Sequence, residues 1–164
     1  MTEINTKKLV KDLIDTFLIA GKVSINLRKD GLTKEIKSDN TPVSNGDLEV
    51  NKIISKKLKE LTPSIPIISE ETSDNKLIKD LKNFWLVDPI DGTYDYINNL
   101  EEFTINAGLI LNRRPVAGLI YAPAKERMFY SYGKNSAFEI SNNKNIKLEC
   151  SNNFDKNEIN FVSY

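Results

Sequence analysis

The sequence predicts a layered α/β fold in which helices pack on a largely antiparallel sheet. Two segments in the first 61 residues carry apolar side chains at helical spacing, and four apolar runs follow later in the chain. The joints between these runs, 112–115 and 122–125, are short enough for hairpins, so neighbouring runs are expected to pair antiparallel. A chain of 164 residues can form one domain with a real core, or part of a larger one.

The first predicted helix covers residues 7–28, and the second follows the loop 41–47 and ends before Pro63. Ser44 and Asp47 have the spacing of a helix start, which would make Asp47 an ordinary capping residue. The apolar faces consist of Val10, Leu13, Ile14, Phe17 and Leu18 in the first helix, and Val50, Ile53, Ile54, Leu58 and Leu61 in the second.

The predicted strands are bounded by turn residues. Residues 32–40 indicate a strand or hairpin arm, 65–69 a strand ending in Glu70, and 75–83 a short helix or loop. A buried strand covers 84–87, and Pro89 is expected to end its ladder and leave Asp88 at the tip. The later strands are 103–111, 116–121, 127–132, 137–140 and 159–162, with a turn at 141–145.

Composition excludes several kinds of chemistry. The chain has 23 basic and 23 acidic residues, so no overall field favours nucleic acid or an anionic membrane. It has no histidine and one cysteine, Cys150, which removes histidine-dependent catalysis, internal disulfides and multi-cysteine zinc sites. Catalysis would require carboxylates, hydroxyls, lysines or a metal held by oxygen. No signal peptide or membrane span is predicted, so a cytoplasmic location is expected, with peripheral association at the inner membrane left open.

The segment Asp88-Pro-Ile-Asp-Gly-Thr93 is the strongest candidate for chemistry. Two carboxylates and the carbonyl of Ile90 can converge there, beside the N–H groups of Gly92 and Thr93. Hard oxygen ligands next to N–H donors suit a Mg²⁺-phosphate site. Two aspartates in one loop are equally typical of a solvated turn, so this segment alone leaves both interpretations open. Asp47 and Glu70 favour the metal site, because separate segments bring further acids to loop positions.

The order Ser69-Glu-Glu71 followed by Asp88-Pro-Ile-Asp-Gly-Thr93 resembles the metal-binding motifs of the lithium-sensitive inositol monophosphatase superfamily. Within that superfamily, three further stretches are similar to the bacterial 3'(2'),5'-bisphosphate nucleotidases. They are Thr41-Pro-Val-Ser44 with Asp47, Glu102-Phe-Thr-Ile-Asn106 and Tyr121-Ala-Pro123.

The resemblance implies the N-terminal half of an αβαβα sugar-phosphatase-like fold and a site with two or three Mg²⁺ ions inhibited by lithium. Glu70, Asp88, the carbonyl of Ile90 and Asp91 are implied as metal ligands. Asp91, Gly92 and Thr93 are implied to bind the substrate phosphate. Thr93 with Asp47, together with Glu70, is implied to orient a metal-activated attacking water. The implied reaction converts adenosine 3',5'-bisphosphate to AMP and phosphate.

One departure from the family pattern limits these expectations. The family has a later Trp-Asp motif that completes the second metal site, whereas Trp85 is the only tryptophan here. Residues 1–164 are therefore expected to form an N-terminal metal- and phosphate-binding domain without its C-terminal partner, weakly active or inactive alone. Inositol monophosphatase or fructose-1,6-bisphosphatase activity, a non-catalytic binding module and a homodimer all remain open.

Overall fold

The structure, a computed structural model, describes residues 4–36, 42–71 and 81–150. Helix α1 covers Thr6–Asp30 and helix α2 covers Asn45–Leu61, which confirms both predicted helices. Asn5 caps α1, because its side-chain oxygen accepts a hydrogen bond from the Lys8 N–H at 2.9 Å. A short helix, α3, covers Thr93–Ile97.

The described strands form a two-stranded hairpin and a seven-stranded sheet in the order β3-β4-β5-β6-β7-β8-β9. Only β3 and β4 pair parallel, so the predicted, largely antiparallel sheet is confirmed. The hairpin strands are β1 (Lys34–Ile36) and β2 (Pro42–Ser44). The sheet strands are β3 (Ile67–Ser69), β4 (Phe84–Asp91), β5 (Thr104–Leu111), β6 (Arg114–Ala122), β7 (Arg127–Ser131), β8 (Ala137–Ser141) and β9 (Lys144–Leu148).

One local prediction was wrong, and the bounds of another were too wide. Pro89 does not end β4; the strand continues to Asp91, and its pairing with β5 shifts register between Asp88 and Asp91. Such an irregularity accommodates a proline, because the ladder needs no N–H there. The turn predicted at 141–145 is confined to Asn142 and Asn143, because β9 begins at Lys144. These two asparagines adopt φ of 51° and 58°. Asparagine tolerates this conformation, so two residues close the hairpin.

Three predicted segments fall wholly or partly outside the described residues. They are the strand at 159–162, the greater part of 75–83, and the end of the arm at 32–40.

The main core lies between the sheet and the pair α1 and α2. Trp85 is fully buried there, and its Nε1 donates a hydrogen bond to Thr62 Oγ1 at 3.0 Å at the end of α2. Alternate residues of β5, Ile105, Ala107 and Leu109, face the same side. None of the helices that the structure describes is long and apolar enough to cross a bilayer.

The opposite side of the sheet is here called the open face. It carries the side chains that alternate, along each strand, with those facing the helices. Leu86, Ile120 and Ile146 are each about half exposed on it. Gly108 and Gly118 are register partners at its centre and form part of a groove of about 880 Å³. Asp88 and Asn106 lie on this face as well, at the end of the sheet where residues 88–93, here called the acidic segment, begin.

Candidate metal centre

Glu70, Asp88 and Asn106 form one row across β3, β4 and β5 on the open face. Asp88 and Asn106 are register partners. Glu70 follows Ser69, the partner of Val87, and its N–H donates to the Val87 carbonyl at 3.2 Å, which carries the parallel ladder one residue further. Asp91, three residues after Asp88 on β4, is linked to this row by a hydrogen bond that Asn106 Nδ2 donates to Asp91 Oδ2 at 3.2 Å. Strand register therefore brings together acids that are distant in sequence.

Asp47 reaches the acidic segment from the first turn of α2. Its Oδ2 accepts hydrogen bonds from the Ser44 N–H at 2.8 Å and from Ser44 Oγ at 2.5 Å, which completes a capping box. Its Oδ1 accepts a hydrogen bond from Thr93 Oγ1 at 3.1 Å, and the same hydroxyl lies 3.0 Å from the Ile90 carbonyl oxygen. The predicted helix start is confirmed, and the capping carboxylate also contacts Thr93.

Tyr96 fixes the distance between α2 and α3. Its ring is fully buried, and its hydroxyl donates to the Ser24 carbonyl of α1 at 2.7 Å. A Cβ at Gly46 would lie 2.4 Å from that hydroxyl oxygen, so α2 approaches closely only because residue 46 has no side chain. Three helices therefore meet at one phenol, immediately beside Asp47.

Gly92 makes the sharp bend that the sequence predicts. Its φ is 89°, and a Cβ at this position would lie 2.7 Å from the backbone oxygen of Glu102. A side chain would thus meet both an unfavourable backbone conformation and a rigid neighbour.

We expect Gly92→Ala to lower the free energy of unfolding by at least about 2 kcal/mol, because the strain and the contact act together. Gly31→Ala is the matched control, since a Cβ there meets nothing within 4 Å and its φ is extended. Urea denaturation of both variants measures the difference. Equal effects at the two positions would contradict the account of the bend.

Asp47, Glu70, Asp88 and Asp91 form an acidic cluster, and a bound cation would offset their negative charge. Burial, followed by the charges of Glu70 and Asp91, a hydrogen bond to Glu70 and the charge of Asp47, together raise the pKa of Asp88 to about 7. Among the described residues, no lysine or arginine forms an ion pair with Asp47, Asp88 or Asp91. Asp88 Oδ1 is buried and accepts no hydrogen bond from the described part of the chain.

The donor set fits a hard divalent cation. Carboxylate and carbonyl oxygens are the ligands that Mg²⁺ and Ca²⁺ take, and the unpartnered Asp88 oxygen has an acceptor position to offer. The side chains do not form a finished cage: over residues 4–36, 42–71 and 81–150, no three acidic groups already meet at metal-binding spacing. Glu70 and Asp91 are exposed, so their carboxylates can turn towards a bound ion.

All the site residues expected from sequence lie in this region. Asp47, Glu70, Asp88, Ile90, Asp91, Gly92 and Thr93 sit on or beside the end of β4. Three aromatic side chains near these residues differ in exposure: Tyr96 and Phe103 are buried and in edge-to-face contact, whereas Tyr94 is 69% exposed. Asn106 and Gly46 were not predicted as parts of the site, because each acts through a neighbour that only the register and the helix approach reveal.

Fold and cluster together define a layered α/β protein with an oxygen-rich, cation-demanding site at the end of its sheet. The profile of the inositol monophosphatase family matches residues 7–163. The chain is 34% identical over 147 residues to the 3'(2'),5'-bisphosphate nucleotidase CysQ of Aggregatibacter actinomycetemcomitans, which covers 88% of this chain and 55% of that protein. The chain belongs to the inositol monophosphatase family.

Solved structures show the same fold. CysQ from Bacteroides thetaiotaomicron superposes with a TM-score of 0.62 at 28% identity, over 82% of this chain and 49% of that one. An IMPase/NADP phosphatase complexed with Mg²⁺ and phosphate superposes with a TM-score of 0.73 at 20% identity, over 83% and 52%. The chain therefore spans about half the length of the relatives it matches.

Proposed function

We propose that this chain supplies the metal- and phosphate-binding part of a Mg²⁺-dependent phosphomonoester hydrolase of the 3'(2'),5'-bisphosphate nucleotidase type. The observation that carries the proposal is the raised pKa of Asp88 beside Glu70, Asp91 and Asp47, together with its buried Oδ1, which accepts no hydrogen bond from the described residues. A divalent cation would compensate this charge, and when bound it supplies Lewis-acid activation of water near neutral pH. Glu70, Asp88, the Ile90 carbonyl and Asp91 are the groups that would hold it.

Thr93 and Asp47 would orient the attacking water. The Thr93 hydroxyl has one proton, and its two possible acceptors, Asp47 Oδ1 and the Ile90 carbonyl, lie at 3.1 and 3.0 Å. Its lone pairs therefore stay available to accept a hydrogen bond from a water molecule. Because Asp47 is itself held by two contacts from Ser44, the hydroxyl is fixed before substrate arrives.

The phosphate would lie against the backbone that follows Asp91. The N–H groups of Gly92 and Thr93 stand where α3 begins, and the first N–H groups of a helix have no partner within it. The bend at Gly92 lets the backbone approach an anion without a side chain in between. Adenosine 3',5'-bisphosphate is the proposed substrate, on the strength of the similarity to CysQ proteins.

Two experiments test the proposal. Calorimetry of the metal-free chain with Mg²⁺ should show saturable binding that Ca²⁺ competes for. Phosphate release should require Mg²⁺, should be inhibited by lithium, and should be at least tenfold faster with adenosine 3',5'-bisphosphate than with inositol 1-phosphate or fructose 1,6-bisphosphate. A preference for inositol 1-phosphate or fructose 1,6-bisphosphate would contradict the proposed substrate and leave the proposed phosphatase class in place.

A non-catalytic role is the second candidate, because the chain spans about half the length of its relatives. Stoichiometric Mg²⁺ binding without release of phosphate from any of the three substrates would support this role. Absence of Mg²⁺ binding would contradict the proposed metal centre itself.

A further inference from the structure

Asn106 lies on the open face opposite Asp88, and its side chain contacts the carboxylate of Asp91. It is the register partner of Asp88, and such partners have Cβ atoms about 4.5–5.5 Å apart on the same face of the sheet. Its Nδ2 also donates to Asp91 Oδ2 at 3.2 Å, across the register shift that separates Asp88 from Asp91. One side chain thus spans the irregularity in β4.

The carbonyl end of the same amide has no donor. Asn106 Oδ1 and Asp88 Oδ1 are both buried, and neither accepts a hydrogen bond from the residues that the structure describes. A buried acceptor left without a partner is destabilising, and here two such atoms belong to neighbouring side chains. The pair is an unusual arrangement unless a cation, or a donor that accompanies one, comes between them.

We propose that Asn106 is a positioning residue of the metal centre; this inference rests on the Mg²⁺ binding proposed above. Its amide nitrogen holds one oxygen of Asp91 and so turns the other towards the cation. Its carbonyl oxygen adds an acceptor beside Asp88 without adding a further negative charge next to the carboxylates of Asp88 and Asp91. An amide supplies both functions at once, whereas a carboxylate at position 106 would face Asp91 with a like charge.

A purely structural role makes a different prediction. If Asn106 served only the sheet, its loss would lower stability and leave metal affinity unchanged. Asn145 is the matched control: it lies four strands away on β9, and its Nδ2 likewise makes one side-chain hydrogen bond, to the Tyr130 hydroxyl at 2.7 Å.

The test measures the Mg²⁺ dissociation constant of the wild-type chain, Asn106→Ala and Asn145→Ala by calorimetry, with melting temperatures of the metal-free proteins. Loss of a partner that orients a metal ligand weakens affinity by about 10–100-fold, so we expect at least a tenfold rise for Asn106→Ala. Asn145→Ala should bind as the wild type does. Asn106→Ser, too short to contact both carboxylates, should repeat the loss and replaces Asn106→Ala if that variant does not fold.

A second measurement follows the Asn106 side chain directly, by NMR. In ¹⁵N-labelled wild-type protein, the side-chain amide signals of Asn106 should shift when Mg²⁺ is added, and those of Asn145 should not. Binding by Asn106→Ala within twofold of the wild type, or an equal loss in Asn145→Ala, overturns the role of Asn106 alone. A wild-type chain that binds no Mg²⁺ overturns the proposed metal centre and this inference together.

Discussion

Asp88→Asn should make the metal-free protein more stable while it abolishes Mg²⁺ binding and any phosphate release. Asp88 is the carboxylate with the least favourable surroundings: burial and then the charges of Glu70 and Asp91 raise its pKa to about 7 from 3.8. An amide of the same shape removes one negative charge from the cluster. It also removes a ligand that the proposed metal centre cannot replace.

The gain in stability should depend on pH. A folded-state pKa above the unfolded value means that the folded protein binds the proton more tightly. The stability that Asp88 contributes is therefore fully present below pH 3.8 and is lost as the pH rises through about 7. At pH 8 without divalent ions, we expect Asp88→Asn to unfold with a free energy higher by about 2 kcal/mol, after allowance for solvent screening.

Asp15→Asn provides the control, because it makes the same change in net charge on the exposed side of α1. Denaturation at pH 5 and pH 8 should separate the two variants at both values, with a difference at pH 5 that is less than half of the difference at pH 8. Added Mg²⁺ should reverse the order at pH 8, since a ligand that binds only the folded wild type stabilises it. Wild-type Mg²⁺ affinity in Asp88→Asn would show that Asp88 is not a ligand.

Asp47→Ala should damage folding and function together. The change leaves the buried Ser44 N–H without its acceptor and removes the capping box of α2. The loss of a cap and one unsatisfied buried donor together cost on the order of 3 kcal/mol. Thr93 would also lose its contact at 3.1 Å, so we expect phosphate release to fall at least a hundredfold.

Thr93→Val separates the two effects. It removes the hydroxyl that Asp47 accepts from, while Ser44 keeps both of its contacts with Asp47 Oδ2. Urea denaturation should place Thr93→Val within about 1 kcal/mol of the wild type, because the hydroxyl is only partly buried. Phosphate release should nevertheless fall as far as in Asp47→Ala. Full activity in Thr93→Val would remove Thr93 from the proposed reaction.

The helices and most strands could be predicted because their signals are local. The apolar spacing of Val10, Leu13 and Phe17 defines α1 without knowledge of anything else in the chain. Pro89 shows where local signals fail: the rule that proline ends a strand is sound, but a register shift removes the need for its N–H. The β9 strand was missed because five mostly polar, exposed residues carry little periodicity.

The site residues that belong to sequence motifs could be predicted, whereas those that strand pairing brings together could not. Glu70, Asp88 and Asp91 stand in recognisable sequence contexts. The pairing of Asp88 with Asn106 depends on the alignment of β4 with β5, and a shift of one residue would have turned Asn106 towards the helices. Tyr96 and Gly46 are likewise linked by the approach of two helices, which no spacing along the chain encodes.

The attachment of β3 has a consequence for how the metal centre assembles over time. Within residues 4–36, 42–71 and 81–150, this three-residue strand lies at the edge of the sheet and pairs parallel with β4, and Ser69 Oγ donates a hydrogen bond to Asn51 Oδ1 at 2.8 Å. Short edge elements open more readily than the core, so of the proposed ligands Glu70 is expected to leave and return most often. Hydrogen exchange at the Glu70 amide, bonded to the Val87 carbonyl, would report those openings. A bound cation that includes Glu70 should slow them and close this edge of the sheet.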